Sequence, residues 1–230
     1  MGSELNLGTT ELLALAAALG WASGMRLYAV VFLTGLAGYL GWVPLPDGLK
    51  LLEQPALLWA SGIMLAVEFL ADKIPVVDSM WDAVHTFIRV PAGAALAAGV
   101  FGFDGSQMAL VAGLMGGTLA ATSHAAKAST RAAVNTSPEP FSNIGLSLLG
   151  DAAVPTLLWL AWEHPLGFAV VLGVGVLASV VLLVLTFKFL RALLRRLFGR
   201  SAGAENGADM PMPVRGRLTN ETRADRAAEV

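Results

Sequence analysis

The chain reads as an all-α polytopic membrane protein with about six transmembrane helices, some broken or re-entrant, and three observations lead there. Of its 230 residues 56% are hydrophobic and only 14% charged, where an average soluble domain carries about 25% charged residues. Its mean hydropathy is +0.67. Six stretches reach or approach the roughly 20 apolar residues that a helix needs to cross the hydrocarbon core, and Pro or Gly clusters separate them.

The first stretch, Thr10 to Gly41, is too long for one straight span and is interrupted at Ser23-Gly24, just before Arg26, which predicts a broken or kinked helix. Trp42, Pro44, Pro46 and Asp47-Gly48 then mark an interface and a turn. The second, Ala56 to Ile74, is opened by Pro55 and stopped by Pro75, with Glu68, Asp72 and Lys73 in its last two turns. The third, Ser79 to Phe103, is amphipathic up to Pro91 and Ala/Gly-rich beyond it. The fourth, Ser106 to Asn135, carries Gly113, Gly116, Gly117, Ala120 and Ala121, small residues that let helices approach closely. Thr136-Ser137-Pro138-Glu139-Pro140 cannot be helical and forms a loop or re-entrant turn. The fifth is Ser142 to Trp162, with Pro155 inside. The sixth, Leu166 to Leu190, is almost uniformly aliphatic.

Lys188, Arg191, Arg195, Arg196 and Arg200 follow, which puts this end in the cytoplasm by the positive-inside rule. Residues 1–200 are thus read as a transmembrane helical domain and 201–230 as a disordered cytoplasmic tail. Met1 to Thr10 lacks the positive region of a secretory signal and is read as part of the mature protein. The absence of cysteine excludes disulfides, thiolate catalysis and thiolate metal sites. No basic patch suited to nucleic acid is present.

Charge inside the spans is costly and marks an internal pathway or binding site. On a helix, Asp78, Asp82, His85 and Arg89 share one face, and so do His124, Lys127, Arg131 and Asn135. The first stripe begins acidic and the second is basic, so the two can pair across a helix interface. A buried pair left without its partner costs about 3–5 kcal/mol, and mutual neutralisation accounts for roughly half of the charges. The order cation, acid, proline recurs (Arg26, Asp72, Pro75; Arg131, Asp151, Pro155), which hints at two inverted three-helix repeats, a transporter architecture.

Two segments, EFLADKIPVVDSMWDAVHTFIR from Glu68 to Arg89 and HAAKASTRAAVNTSPEPFSN from His124 to Asn143, closely resemble the bacterial integral-membrane family known as domain of unknown function 4126. The resemblance extends to Gly24-Met25-Arg26-Leu27-Tyr28 and the WVPLP turn, and covers Ala22 to Leu190. It implies a compact multi-span protein whose polar motifs identify it, and it brings no activity. Relatives carry an acidic pair near Asp151, where this chain has Gly150-Asp151. EFLADK is also loosely similar to the Glu-x-Gly-Asp-Lys motif of cation exchangers, with one more residue between the acids and no glycine.

The leading expectation is a small transporter or channel-like protein for an ion or small charged solute. Its pathway would be formed by Arg26, Glu68, Asp72, Lys73, Asp78, Asp82, His85, Arg89, His124, Lys127, Arg131, Asn135, Glu139, Asn143 and Asp151. Glu68, Asp72, Asp78 and Asp82 are the candidate ligands for a hard cation, and His85 and His124 could relay protons. Arg26, Lys73, Arg89, Lys127 and Arg131 could equally hold an anion, so the sign of the solute stays open. Two alternatives remain: an intramembrane enzyme or lipid-binding protein acting on a phosphate-bearing lipid, and a structural module whose ion pairs fix helix packing. No cofactor is called for. The expected location is the bacterial inner membrane, and the expected partners are the lipid bilayer, the solute and a second copy of the chain.

Overall fold

The computed structural model describes residues 8–74, 77–103, 105–134 and 141–205, with backbone alone at 143, 193 and 196–205. Every described element is helical: α1 (Thr9–Tyr39), a 3₁₀ helix (Asp47–Glu53), α2 (Pro55–Ala71), α3 (Val77–Gly99), α4 (Gln107–Val134), α5 (Phe141–Glu163) and α6 (Pro165–Glu205). The expected turn at Thr136–Pro140, with Asn135 and Glu139, lies outside the described residues, as does the tail from residue 206. The chain falls into two units divided between Thr186 and Phe187. In the second, Phe187, Phe189, Leu190 and Leu194 are exposed on α6.

Of the six expected spans, four or five are met among the described residues. Among the described residues, four helices are long and apolar enough to cross a membrane: Thr9–Tyr39, Gln107–Val134, Ile144–Glu163 and Pro165–Ala192. A fifth arises only if the 3₁₀ helix and α2, bent by 70° at their junction, are taken together. The reason lies in length and polarity. Helix α2 has 17 residues, and the first half of α3 carries Asp78, Asp82, His85 and Arg89, all buried.

The burial pattern is that of a membrane protein. Arg26, Glu68, Asp72, Asp78 and Arg89 are at most 1% exposed, while Trp59, Phe87, Leu114, Leu166 and Leu177 lie on the outer surface. Such a distribution is stable only where the surroundings are apolar and the charges are satisfied within the bundle.

Helix α1 is central, with α2, α3, α4 and α5 packed against it. Small residues permit the approach. A Cβ on Gly20 would come within 2.5 Å of the Gly116 Cα, and one on Gly24 would overlap Ser123 Oγ and the Ala120 carbonyl. Gly93 of α3 meets Ala120 in the same layer, so α1, α3 and α4 are held at backbone distance. Around this seam Leu15, Leu19, Leu27 and Val30 pack with Leu49, Leu96, Val100 and Val154. A second cluster joins Trp21, Leu157, Ala161 and Phe168.

Helix α1 ends at a turn that only glycine suits. Gly41 has φ of +68°, its N–H donates to Gly38, and the Trp42 N–H donates to Ala37, the paired bonds of a Schellman cap. Ser106 caps α4, accepting a bond from the Ala109 N–H at 3.2 Å.

Candidate functional site: a buried charge network at the break in α1

The site begins where α1 stops being a helix. Arg26 has φ −147° and ψ 84°, which breaks the ladder at the point the Ser23-Gly24 pair predicts. A backbone break inside an apolar layer leaves carbonyls that must find donors, each costing several kcal/mol otherwise. Helix α4 provides them: Lys127 Nζ donates to the Met25 carbonyl at 3.0 Å, and Ser123 Oγ donates to the Trp21 carbonyl at 2.7 Å.

The extended backbone aims the Arg26 side chain across the bundle. Its guanidinium reaches Asp72 at 2.5 Å and Asp151 at 2.8 Å, and donates to the carbonyl and hydroxyl of Ser147 at 3.0 and 2.9 Å. Asp72, the residue that ends α2, is shared further, by Arg131 at 3.0 Å and Lys127 at 3.4 Å. Lys73 sits over the Phe69 ring and approaches Asp151 at 3.4 Å.

The two charged stripes face each other. Asp82 of α3 is held by Arg89 at 2.7 Å and Lys127 at 3.2 Å, with Arg131 at 3.8 Å. Arg131 also reaches Asp78 at 3.2 Å. Arg89 turns its other nitrogen to Glu68 at 2.6 Å. Five carboxylates and five cations are thereby interleaved, formally neutral as a set. The four candidate metal ligands each face an Arg or Lys, and among the described residues no group of three or more His, Asp or Glu converges as a metal site would.

Both histidines join this network. Arg89 donates to His124 Nδ1 at 3.1 Å, and because guanidinium only donates, Nδ1 must carry a lone pair. His124 is then the neutral Nε2–H tautomer, donating to Thr86 Oγ1 at 2.7 Å, and Thr86 donates onward to the Asp82 carbonyl at 2.9 Å. His85 donates through Nδ1 to the Trp81 carbonyl at 2.8 Å and stacks on the Trp81 ring. In the neutral ring its Nε2 accepts from the Tyr28 hydroxyl at 3.1 Å.

Beside the network lies a cavity of about 330 Å³ between α1, α4, α5 and α6. Arg26, Lys127 and Arg131 line it, and among the described residues lining it none is a carboxylate. Among the described residues, several buried polar atoms of the network find no hydrogen-bond partner, including Arg26 Nε, Glu68 Oε2, Asp72 Oδ1 and Arg89 Nε.

Of the sequence-derived candidates, Arg26, Glu68, Asp72, Lys73, Asp78, Asp82, Arg89, Lys127, Arg131 and Asp151 are joined by ion pairs, His124 bonds to Arg89, and His85 lies beside them on α3. Asn143 is described by its backbone alone, in the first turn of α5. Sequence reasoning missed Thr86, Ser123 and Ser147, whose hydroxyls bridge network and backbone. The available signal was weak: each is a small polar residue within one turn of a charged or histidine position.

Broken central helix, inward charges and apolar exterior together define a multi-pass helical membrane protein with an ion-paired polar core. The chain belongs to the family described as Domain of unknown function (DUF4126), whose model matches residues 13–186. No curated protein and no solved structure matches the chain.

Proposed function

We propose that the chain is a small membrane carrier for a charged solute, that the ion-paired core is its internal site, and that the solute is an anion. The carrying observation is the arrangement around Arg26. A cation at an unwound point of the central helix borders a cavity lined by two further cations, Lys127 and Arg131. Their carboxylate partners Asp72 and Asp82 are not in its described lining. A bound anion would take over one or more of the bonds that these carboxylates now make, so occupancy and ion-pair rearrangement are coupled. Discontinuous helices with charged side chains at the break are the usual form of a carrier site.

The same reading places the protein in the bacterial inner membrane with its C-terminus in the cytoplasm, on the strength of the basic residues from Lys188 to Arg200. The test is reconstitution into liposomes, with pH-, potential- and anion-sensitive dyes following a panel of ions. Wild type is expected to pass an anion above empty vesicles, and Arg131→Gln to pass less. Absence of flux for every ion in the panel, inorganic and amphiphilic anions alike, refutes the carrier.

A further inference from the structure

The cavity beside Arg26 has a second property besides its cations. Apart from the hydroxyls of Ser123, Thr130 and Ser179, its other walls are apolar, with Trp21, Met25, Leu146, Leu149 and Leu182 the largest. A volume of about 330 Å³ is at the small end of the ~300–1,000 Å³ typical of ligand sites, and an apolar lining with a few convergent polar groups is their usual chemistry. Inorganic anions would leave these walls without a partner. A chain attached to the anion would cover them.

Arg26 contributes an independent sign of a ligand. It is 1% exposed, and among the described residues its Nε–H finds no hydrogen-bond partner, while its terminal nitrogens are ion-paired with Asp72 and Asp151. Gly150 lines the same cavity, and a Cβ on it would meet nothing within 4 Å except this Nε, at 3.8 Å. The unpartnered donor therefore faces the space beside Gly150. Arg26, Lys127 and Arg131 line the cavity, while the carboxylates that pair with them, Asp72, Asp82 and Asp151 among them, are not in its described lining.

The seam beside the cavity is open and apolar. Helices α4 and α5 touch only sparsely, and the flanking faces of α5 and α6 present exposed Leu148, Leu149, Val174 and Leu177. An amphiphile could slide its chain between these helices while its head reached the cations.

We infer that this cavity binds a phosphate-bearing lipid of the surrounding bilayer, with the phosphate on Arg26, Lys127 and Arg131 and an aliphatic chain along Trp21, Leu149 and Leu182. This deepens the carrier reading by naming an amphiphilic anion as the solute, and it rests on the same site. Arg and Lys are the side chains suited to phosphate oxygens, and burial strengthens each such bond.

The test uses the purified full chain in maltoside micelles, with dodecyl phosphate, dodecanol and inorganic phosphate as probes and thermal unfolding as readout. Dodecyl phosphate is expected to raise the unfolding temperature and to bind about tenfold or more tightly than dodecanol, the difference a charge-assisted bond supplies. Inorganic phosphate is expected to give no comparable rise. Gly150→Leu and Ala178→Trp fill the cavity from two helices without removing a charge, and Ala178 is exposed, so the fold is retained; both should abolish the rise. Native mass spectrometry of the wild type should find a phosphate-bearing lipid that is lost in Ala178→Trp. An equal rise with dodecanol, an equal rise with inorganic phosphate, or a rise that survives both filling variants overturns the inference. Lipid binding without flux in liposomes would sink the carrier and leave this site standing, whereas small-anion flux with no effect of dodecyl phosphate would do the reverse.

Discussion

Replacing Arg89 by leucine should be among the most damaging single changes in the bundle, and the reason can be worked from its partners. Arg89 is fully buried and bonds Glu68 at 2.6 Å, Asp82 at 2.7 Å and His124 at 3.1 Å. Asp82 keeps Lys127 at 3.2 Å. Glu68, itself 0% exposed, is left by the substitution without the cation that holds it. Stranding a buried charge in this way costs about 3–5 kcal/mol. At about 2–4 °C per kcal/mol for a chain of this size, that is a fall of roughly 6–20 °C in Tm. The assay is thermal unfolding in detergent, followed by tryptophan fluorescence. The companion variant Glu68→Leu/Arg89→Leu removes both charges and should recover at least half of the loss, about 1.5–2.5 kcal/mol. If the double variant is as unstable as the two single losses added together, Arg89 and Glu68 are not an energetic pair and the network reading is wrong.

Other expectations follow from the same geometry. Gly24→Val drives a side chain into Ser123 and Ala120; overpacking of about 1–3 kcal/mol or more should appear as a lower Tm and a broadened size-exclusion profile, and a wild-type profile with unchanged Tm would contradict the α1–α4 contact. Ser123→Ala takes from the buried Trp21 carbonyl the hydroxyl that donates to it and should cost about 1–3 kcal/mol, a Tm decrease smaller than that of Arg89→Leu. Asp47 and Lys50 pair at 2.5 Å but are both exposed, so Asp47→Asn should leave Tm unchanged, because solvent and salt screen such pairs; a drop like that of Arg89→Leu would mean this surface is buried in the assembled protein.

Much of this was readable one residue at a time. The break in α1 was legible because a small-residue pair and a cation interrupt an apolar run too long for one span. The facing of α3 and α4 was legible because helical periodicity places Asp78, Asp82 and Arg89 on one side and Lys127 and Arg131 on another, and opposite charges in an apolar layer must meet. The span count was less legible. A polar stripe lowers the hydropathy of α3 whether that stripe faces lipid, water or a partner helix, and composition averages over all three.

What the chain alone determined is therefore the class of the protein: helices by apolar length and period, a membrane by the scarcity of charge, and a polar interior by the cost of placing the remaining charges anywhere else. Which acid answers which base was decided only in three dimensions. Arg26 lies 46 residues from Asp72 and 125 from Asp151 along the chain, and no local rule selects among five possible partners. The choice depends on close approach at Gly20, Gly24 and Gly93, on the direction that an unwound backbone gives to Arg26, and on a cavity whose walls come from four helices. Coulomb attraction made pairing inevitable, and packing distance chose the pairs.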